Sequence, residues 1–309
     1  MKILVTGGAG YLGSVLVESL LDAGHSVIVL DPLAYGQLSL LPLATRKELT
    51  FERGDARDRR RLRPLVRAAD VLIPLAALVG APACDRQPRL AEELNLDAVR
   101  TLLDLRSADQ PILFPNTNSG YGARPDAICT EATEFAPVSL YGRTKAAAER
   151  LLLDAGGAVS FRLATAFGTS PRMRFDLLVN DFVRRAVGER VLVLFESGFR
   201  RNFVHVRDIA AAFLFALDHW QDMRDGVFNV GLSDANLTKR QLAERIRGHI
   251  PDLTILESDI GRDPDRRDYE VSNVKIEALG WRPGRSLDDG IRELIVACSM
   301  LPRSPLGNA

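Results

Sequence analysis

Thr6-Gly7-Gly8-Ala9-Gly10-Tyr11-Leu12-Gly13 follows a strand-like run, Met1–Thr6, and opens an amphipathic stretch, Tyr11–Ala23. Gly7 permits a tight turn there. Gly10 lets backbone N–H groups approach a pyrophosphate, and Gly13 lets a helix pack closely on the strand. The positive end of that helix favours an anion. Strand, glycine loop and helix in this order point to dinucleotide binding, with Gly7, Gly10, Tyr11, Leu12 and Gly13 as the expected cofactor loop.

The rest of the first half keeps the same rhythm. Apolar runs at Ser26–Leu30, Leu49–Arg53, Val71–Leu75, Ile112–Phe114 and Val159–Leu163 read as strands. Arg89–Arg106 and Ser139–Leu153 read as helices between them. Such alternation predicts an α/β fold, a doubly wound parallel sheet covered on both faces. After about Ala164 the loops lengthen and Pro and Arg become denser. Helices at Leu177–Val187, Val206–Asp218 and Lys239–His249 are separated by short strands such as Val191–Phe195. The expected division is a nucleotide-binding domain over 1–165, rejoined by some later segments, a smaller C-terminal α/β substrate-binding lobe over 166–300, and a flexible tail over 301–309.

Composition removes other classes. Lys+Arg and Asp+Glu are 40 each in 309 residues, so no sequence-wide basic footprint for nucleic acid or acidic membrane exists. No apolar run reaches the roughly 18 residues of a transmembrane helix. The start, MKILVTGG, runs directly into a strand and does not read as a signal peptide. Cys84, Cys129 and Cys298 lack CxxC spacing, so neither a metal site nor a disulfide framework is expected, and a reducing cytoplasm fits.

Asp31 ends the second strand, about twenty residues beyond the glycine loop, where a carboxylate accepts hydrogen bonds from both ribose hydroxyls of an adenosine. It would repel a 2′-phosphate, and Pro32, Leu33 and Ala34 bring no Arg to offset that, so NAD is favoured over NADP. Gly54-Asp55-Ala56 after the third strand places a carboxylate for the adenine amino group. Leu75, Ala76 and Ala77 offer small side chains and backbone beside the cofactor, a run that plain core packing would also explain.

Tyr141-Gly142-Arg143-Thr144-Lys145 sets a phenol and an ammonium one helical turn apart on one face. The ammonium lowers the phenol's pKa, so Tyr141 can exchange a proton with a sugar hydroxyl while a hydride moves. Thr117 closes the strand before it, in Phe114-Pro115-Asn116-Thr117-Asn118-Ser119-Gly120-Tyr121-Gly122, and a hydroxyl there faces the ligand crevice. Ser119 is its rival on position alone.

Together these residues resemble the extended short-chain dehydrogenase/reductase family, in its NAD-dependent nucleotide-sugar epimerase/dehydratase branch. The motifs are TGGAGYLG, Asp31, Gly54-Asp55, TNSGYG, YGRTK, the run Arg201–Asp208 and Leu279-Gly280-Trp281-Arg282-Pro283, and the likeness runs from Met1 to about Gly290. It implies a Rossmann-type domain, NAD as cofactor and a nucleotide-diphosphate sugar as substrate. The family's hydroxyl stands four residues before the Tyr of the YG pair, which selects Thr117 over Ser119. Tyr141 is then the base, Lys145 its partner, and Asn95 a structural or cofactor-side residue. The resemblance also implies diphosphate contacts from Arg201 and Arg262, a nucleobase cradle at Val193 and Phe195, and polar contacts from Thr165 and Asn180. Asn118 and Ser119 would line the sugar pocket with the loop Thr169–Arg174, and His205 would be scaffold. Helices Arg89–Arg106 and Ser139–Leu153 would pair across a two-fold axis as a homodimer.

Departures from the family choose among its reactions. A 4,6-dehydratase has Asp-Glu directly after the catalytic Thr, and here Asn118-Ser119 stand there. An epimerase-reductase of the fucose-synthase kind has a Cys where Ser119 stands. What remains needs only Thr117, Tyr141, Lys145 and NAD, and these residues serve equally an epimerisation at a sugar carbon or a net oxidation or reduction there. The preference of Asp31 for NAD favours the epimerase, at C4. The alternatives are an NAD(P)-dependent 4-ketoreductase or dehydrogenase and an atypical dehydratase. A non-enzymatic NAD-binding relative would have lost the Tyr or the Lys, and both are intact.

Overall fold

The computed structural model describes residues 1–258 and 267–300. Strands β1 (Lys2–Thr6), β2 (Ser26–Asp31), β3 (Leu49–Arg53), β4 (Val71–Pro74), β5 (Ile112–Thr117), β6 (Ala123–Cys129), β7 (Ala158–Leu163), β8 (Thr165–Phe167), β9 (Val191–Leu194), β10 (Arg200–His205) and β11 (Val227–Val230) appear in that order. Seven of them form one parallel sheet in the order β11-β7-β5-β4-β1-β2-β3. The order reverses between β1 and β4, so the loops leaving these two strands part and open a crevice at their C-terminal ends, where such sheets take ligands.

Side-chain alternation explains why the sheet is covered twice. Ile3, Val5, Val27, Val29 and Leu113 point to one face and meet helices α1 (Tyr11–Asp22) and Val206–Asp218 through Val15, Leu16, Ile209 and Phe213. Leu4, Ile28, Leu30, Ile112 and Phe114 point to the other. There they meet α2 (Arg59–Ala68) and, further along the chain, Leu102 and Leu152. All these side chains are buried, and each contributes about 1.5–3 kcal/mol of hydrophobic stabilisation.

The stretch Arg89–Arg106 is not one regular helix. Short helices α3 (Ala81–Arg86) and α4 (Pro88–Glu92) lead into a π-helical turn over Glu93–Asp97, and α5 (Ala98–Leu105) completes it. The wide turn accompanies an inward Asn95, whose buried amide accepts from Leu78 N at 2.8 Å and donates to Leu78 O at 3.0 Å. Beyond it α6 (Leu140–Ala155) carries the Tyr141–Lys145 pair.

The later chain builds a second core from Phe167, Val179, Phe182, Leu192, Leu242, Ile246 and Leu294. It also returns to the main sheet, where β11 pairs with β7 and Val206–Asp218 packs on α1. The two cores are joined at α1. Tyr11 Oη donates to Gly168 O at 2.7 Å, and Ser170 Oγ donates to Tyr11 O at 2.7 Å.

Candidate active site

At the crevice, Gly7 has φ of 75°, and a Cβ there would lie 2.6 Å from Ala76 N. Gly13 meets the loop still more closely, since a Cβ would fall 2.4 Å from Gly7 O. Both positions exclude any side chain. Helix α1 follows Gly10 as its N-cap, with no side chain capping its N-terminal N–H groups, which leaves them turned to the crevice as an anion cradle. Half-buried Leu12, Leu75, Ala76 and Ala77 flank this loop.

Asp31 is buried at the end of β2. Its carboxylate accepts from Ala9 N at 3.0 Å and Leu33 N at 2.8 Å, so it braces the glycine loop. Burial pushes its pKa up, while these backbone donors pull it down. Asp55 is paired with Arg57 at 2.6 Å, and that hydrogen bond holds its carboxyl below the usual range. Arg57 also reaches Glu93 at 2.5 Å, and Ala56 is buried. Asn95 bridges the loop after β4 to α6, donating to Thr144 Oγ1 at 3.2 Å.

The residues that sequence reasoning selects for catalysis lie at the end of β5 and the start of α6, which pack on each other. Thr117 Oγ1 accepts from Ser119 N at 3.1 Å and lies 2.9 Å from Ser119 Oγ, so the two hydroxyls form one unit. Ser139 caps α6 by accepting from Gly142 N at 3.1 Å. This sets Tyr141, half-buried, in the first turn and Lys145, buried, in the next. Lys145 Nζ lies over the Phe114 ring. Burial pushes its pKa down to about 7, against the opposing charge of Glu149.

Asn118 is 1% exposed, and neither its amide nitrogen nor its oxygen has a partner among the described residues. A buried amide left unpaired inside a crevice is suited to a polar ligand, because leaving it unsatisfied costs about 1–3 kcal/mol.

On the second lobe, Val193 is 43% and Phe195 37% exposed, while Leu192 and Leu194 beside them face the core. Arg201 is nearly buried on β10, its guanidinium 6.0 Å from the Tyr269 ring centre. Thr165 is half-buried on β8. Asn180 is wholly buried. Its Oδ1 accepts from Gly168 N at 3.1 Å, and its Nδ2 donates to Arg174 O at 2.9 Å and Tyr11 Oη at 3.3 Å, so its amide is spent on the junction of the lobes. Arg262 lies outside the described residues. His205 is buried and bonded at both ring nitrogens, to Glu293 at 3.2 Å and Arg207 N at 3.2 Å, a scaffold position.

Three further side chains neighbour the centre; Arg174 belongs to the loop expected to line the sugar pocket, and Glu149 is missed by sequence reasoning. Arg267 donates from Nη1 to Ser119 Oγ, placed there because strand Asp268–Val271 pairs with β6. Arg174, bound to Asp176, lies within electrostatic reach of Tyr141. Glu149 sits one turn beyond Lys145 and holds Asn116 at 2.7 Å.

A sequence profile of the NAD dependent epimerase/dehydratase family matches residues 3–231. This chain belongs to that family. Low-salt glycan biosynthesis protein Agl12 of Haloferax volcanii is 31% identical over 96% of this chain and 97% of that protein. UDP-glucose 4-epimerase of Halalkalibacterium halodurans is 32% identical over 92% of this chain and 91% of that one. Among solved structures, the UDP-glucose 4-epimerase of Thermus thermophilus in complex with NAD matches with a TM-score of 0.81 at 28% identity, covering 97% of this chain and 99% of that chain.

The family is NAD-dependent and the cofactor is NAD, and the residues present fit it. The side-chain-free cradle at Gly7, Gly10 and Gly13 suits a pyrophosphate, and buried Asp31 suits a ribose without a 2′-phosphate. Among the described residues no His, Cys, Asp or Glu cluster is arranged to hold a metal. No described helix is long and apolar enough to cross a membrane.

Proposed function

We propose that this chain epimerises the sugar of a nucleotide-diphosphate sugar, at C4, with Thr117, Tyr141 and Lys145 as the catalytic residues. What supports this reading is the placement of the Thr117–Ser119 hydroxyl pair at the end of β5, which packs on α6 with its Tyr141 and Lys145, and the presence of Asn118 and Ser119 where a dehydratase has its carboxyl residues. The UDP-glucose 4-epimerases among its relatives support it.

Each side chain has one task. Tyr141 as phenolate takes the proton of the sugar hydroxyl and later returns it, so no net proton is consumed. Thr117 donates a hydrogen bond to the reacting oxygen and fixes its distance from Tyr141. Lys145, as ammonium, favours the phenolate. Bound NAD supplies the site that accepts the hydride and gives it back. Between those two events the ketose turns over, held by its diphosphate on Arg201 and by its base against Val193 and Phe195. Asn118 reads a sugar hydroxyl.

We divide the chain near residue 165 into cofactor and sugar-nucleotide lobes. We infer a homodimer formed through α5 and α6, whose Leu103, Leu105, Leu151 and Leu153 remain only partly covered. Three unpaired thiols favour a reducing cytoplasm.

Native mass spectrometry of the purified protein, then incubation with a panel of nucleotide sugars in deuterated water, tests the reading. Retained NAD and conversion of one sugar to its stereoisomer, without net redox or deuterium uptake, is the expected result. Stoichiometric production or consumption of NAD(P)H would make it a dehydrogenase or reductase instead. Deuterium in the product would replace hydride transfer with a carbanion route.

A further inference from the structure

Glu149 is the most completely engaged carboxylate beside the reacting groups. Its side chain is 5% exposed and that of its partner Arg162 is 9% exposed. Arg162 Nη2 lies 2.8 Å from Oε1, and Ser160 Oγ donates to Oε2 at 2.6 Å. Arg162 Nε adds longer contacts of 3.2 and 3.3 Å to the two oxygens, and one further contact leads out of the pair. Asn116 Nδ2 donates to Oε2 at 2.7 Å, and Asn116 Oδ1 accepts from the backbone N–H of Thr117 at 2.8 Å. Arg162 is itself fixed, donating to Tyr121 Oη at 3.0 Å and lying 3.8 Å from the Phe135 ring centre. Tyr121 Oη in turn donates to Asn229 Oδ1 at 2.7 Å.

A buried ion pair is weak grounds for stability, and its best-attested use is to fix register. Here the pair joins β7 to α6, which carries Tyr141 and Lys145, and the same carboxylate holds Asn116 of β5, next to Thr117.

We propose that Glu149 is the positioning residue of this centre: through Asn116 it holds Thr117 at a fixed distance from the helix that presents Tyr141 and Lys145. This inference rests on the catalytic roles proposed above. Hydrogen-bond relays of this kind matter because sub-ångström placement decides proton transfer.

Charge supports the geometry. Lys145 faces Tyr141 and Glu149 on its own helix and the Phe114 ring from β5. Arg162, from β7, approaches both oxygens of the same carboxylate, and Arg174, from the loop after β8, lies within electrostatic reach of Tyr141. Glu149 is the carboxylate that opposes the downward push of burial on Lys145. Removing it takes away that support and leaves the Arg162 charge unbalanced, and both effects favour neutral Lys145.

Two full-length, NAD-loaded variants separate the relay from the charge. Glu149→Gln alters both, and Asn116→Ala cuts only the relay. Two readouts are needed: kcat and KM with UDP-galactose, and titration of Lys145 by NMR of [13Cε]lysine-labelled protein. The chain has only five lysines, and Lys145→Arg assigns the signal.

Both variants are expected to lose roughly 10- to 100-fold in kcat with KM unchanged, as for groups that act only in the transition state. The Lys145 midpoint is expected to fall in Glu149→Gln and to stay in Asn116→Ala. If Glu149→Gln does not fold, Asn116→Ala carries the test, and a wild-type kcat in that variant overturns the proposal. Lowered thermal stability with wild-type kcat and midpoint in both overturns it as well, leaving a scaffold role. If wild type itself turns over no nucleotide sugar, the epimerase reading fails. The Lys145 midpoint still decides the Glu149 contact independently.

Discussion

The ammonium nitrogen of Lys145 lies 3.8 Å from the centre of the Phe114 ring. Such a contact is worth about 0.5–2 kcal/mol, too little to offset full burial, and so the pKa falls to about 7. The unfolded chain keeps it near 10.5. Between these values the unfolded state binds more protons, so stability rises with pH across that window, and the full cost of burying the charge is felt below 7. Lys145→Met removes this dependence. Relative to that variant, the wild type is expected to gain roughly 2–3 kcal/mol between pH 7 and 9, as read from urea unfolding at both pH values. A pH-independent difference between the two proteins would contradict the lowered pKa.

Tyr141→Phe deletes one oxygen and keeps the ring. Loss of the proposed proton acceptor is expected to lower kcat by about 10²–10⁴-fold. Cofactor retention, read by native mass spectrometry, is expected to persist, because the glycine cradle and Asp31 are untouched. Turnover at the wild-type rate would remove Tyr141 from the mechanism.

Gly13→Ala places a methyl group 2.4 Å from Gly7 O and 2.7 Å from Gly8 Cα, both backbone atoms that cannot rotate away. The loop must shift or α1 must lift from it. A destabilisation of about 1–3 kcal/mol is expected, with weakened NAD retention, measurable by thermal denaturation and by cofactor content after purification. The same change at Gly24, which has nothing within 4 Å of a built Cβ but has φ of 80°, is a control for strain without collision.

Glu293 accepts from Thr169 N at 2.7 Å and meets His205 Nε2 at 3.2 Å. Burial works to raise its pKa, yet the hydrogen bonds from His205 and Thr169 outweigh it and hold the carboxyl at about 2. A depressed carboxylate contributes stability that is fully present above its unfolded pKa of 4.5 and is lost as pH falls toward 2. Glu293→Gln is expected to cost roughly 2–3 kcal/mol at pH 7 and much less at pH 3. Equal losses at both pH values would mean that packing, not ionisation, is what the residue provides.

The elements most legible in the sequence are those whose local signals agree. Val206–Asp218 and Lys239–His249 match at both ends, the latter because Thr238 and Gln241 form a reciprocal capping box. The parallel strands stand out as short apolar runs because both sheet faces are covered. The Tyr141–Lys145 pair is visible because helical spacing alone sets it. Pairing of β6 with Asp268–Val271 is not, since Ala-Arg-Pro-Asp-Ala-Ile-Cys has poor strand character and its partner lies far along the chain. The π-helical turn at Glu93–Asp97 leaves no periodic trace in so short a run. Glu149 and Asn116 look like ordinary polar positions until the tertiary fold brings them together. The fate of the Asn180 amide depends in the same way on Tyr11, which lies 169 residues earlier.

Strand β11 comes from the later half of the chain and yet closes the edge of the sheet on β7. The chain therefore cannot be cut near residue 165 into two independently folding pieces. A truncated first half would bare the β7 backbone and its apolar neighbours as a sticky edge open to aggregation. A whole-lobe graft between relatives would likewise carry away an edge strand of the cofactor-binding sheet.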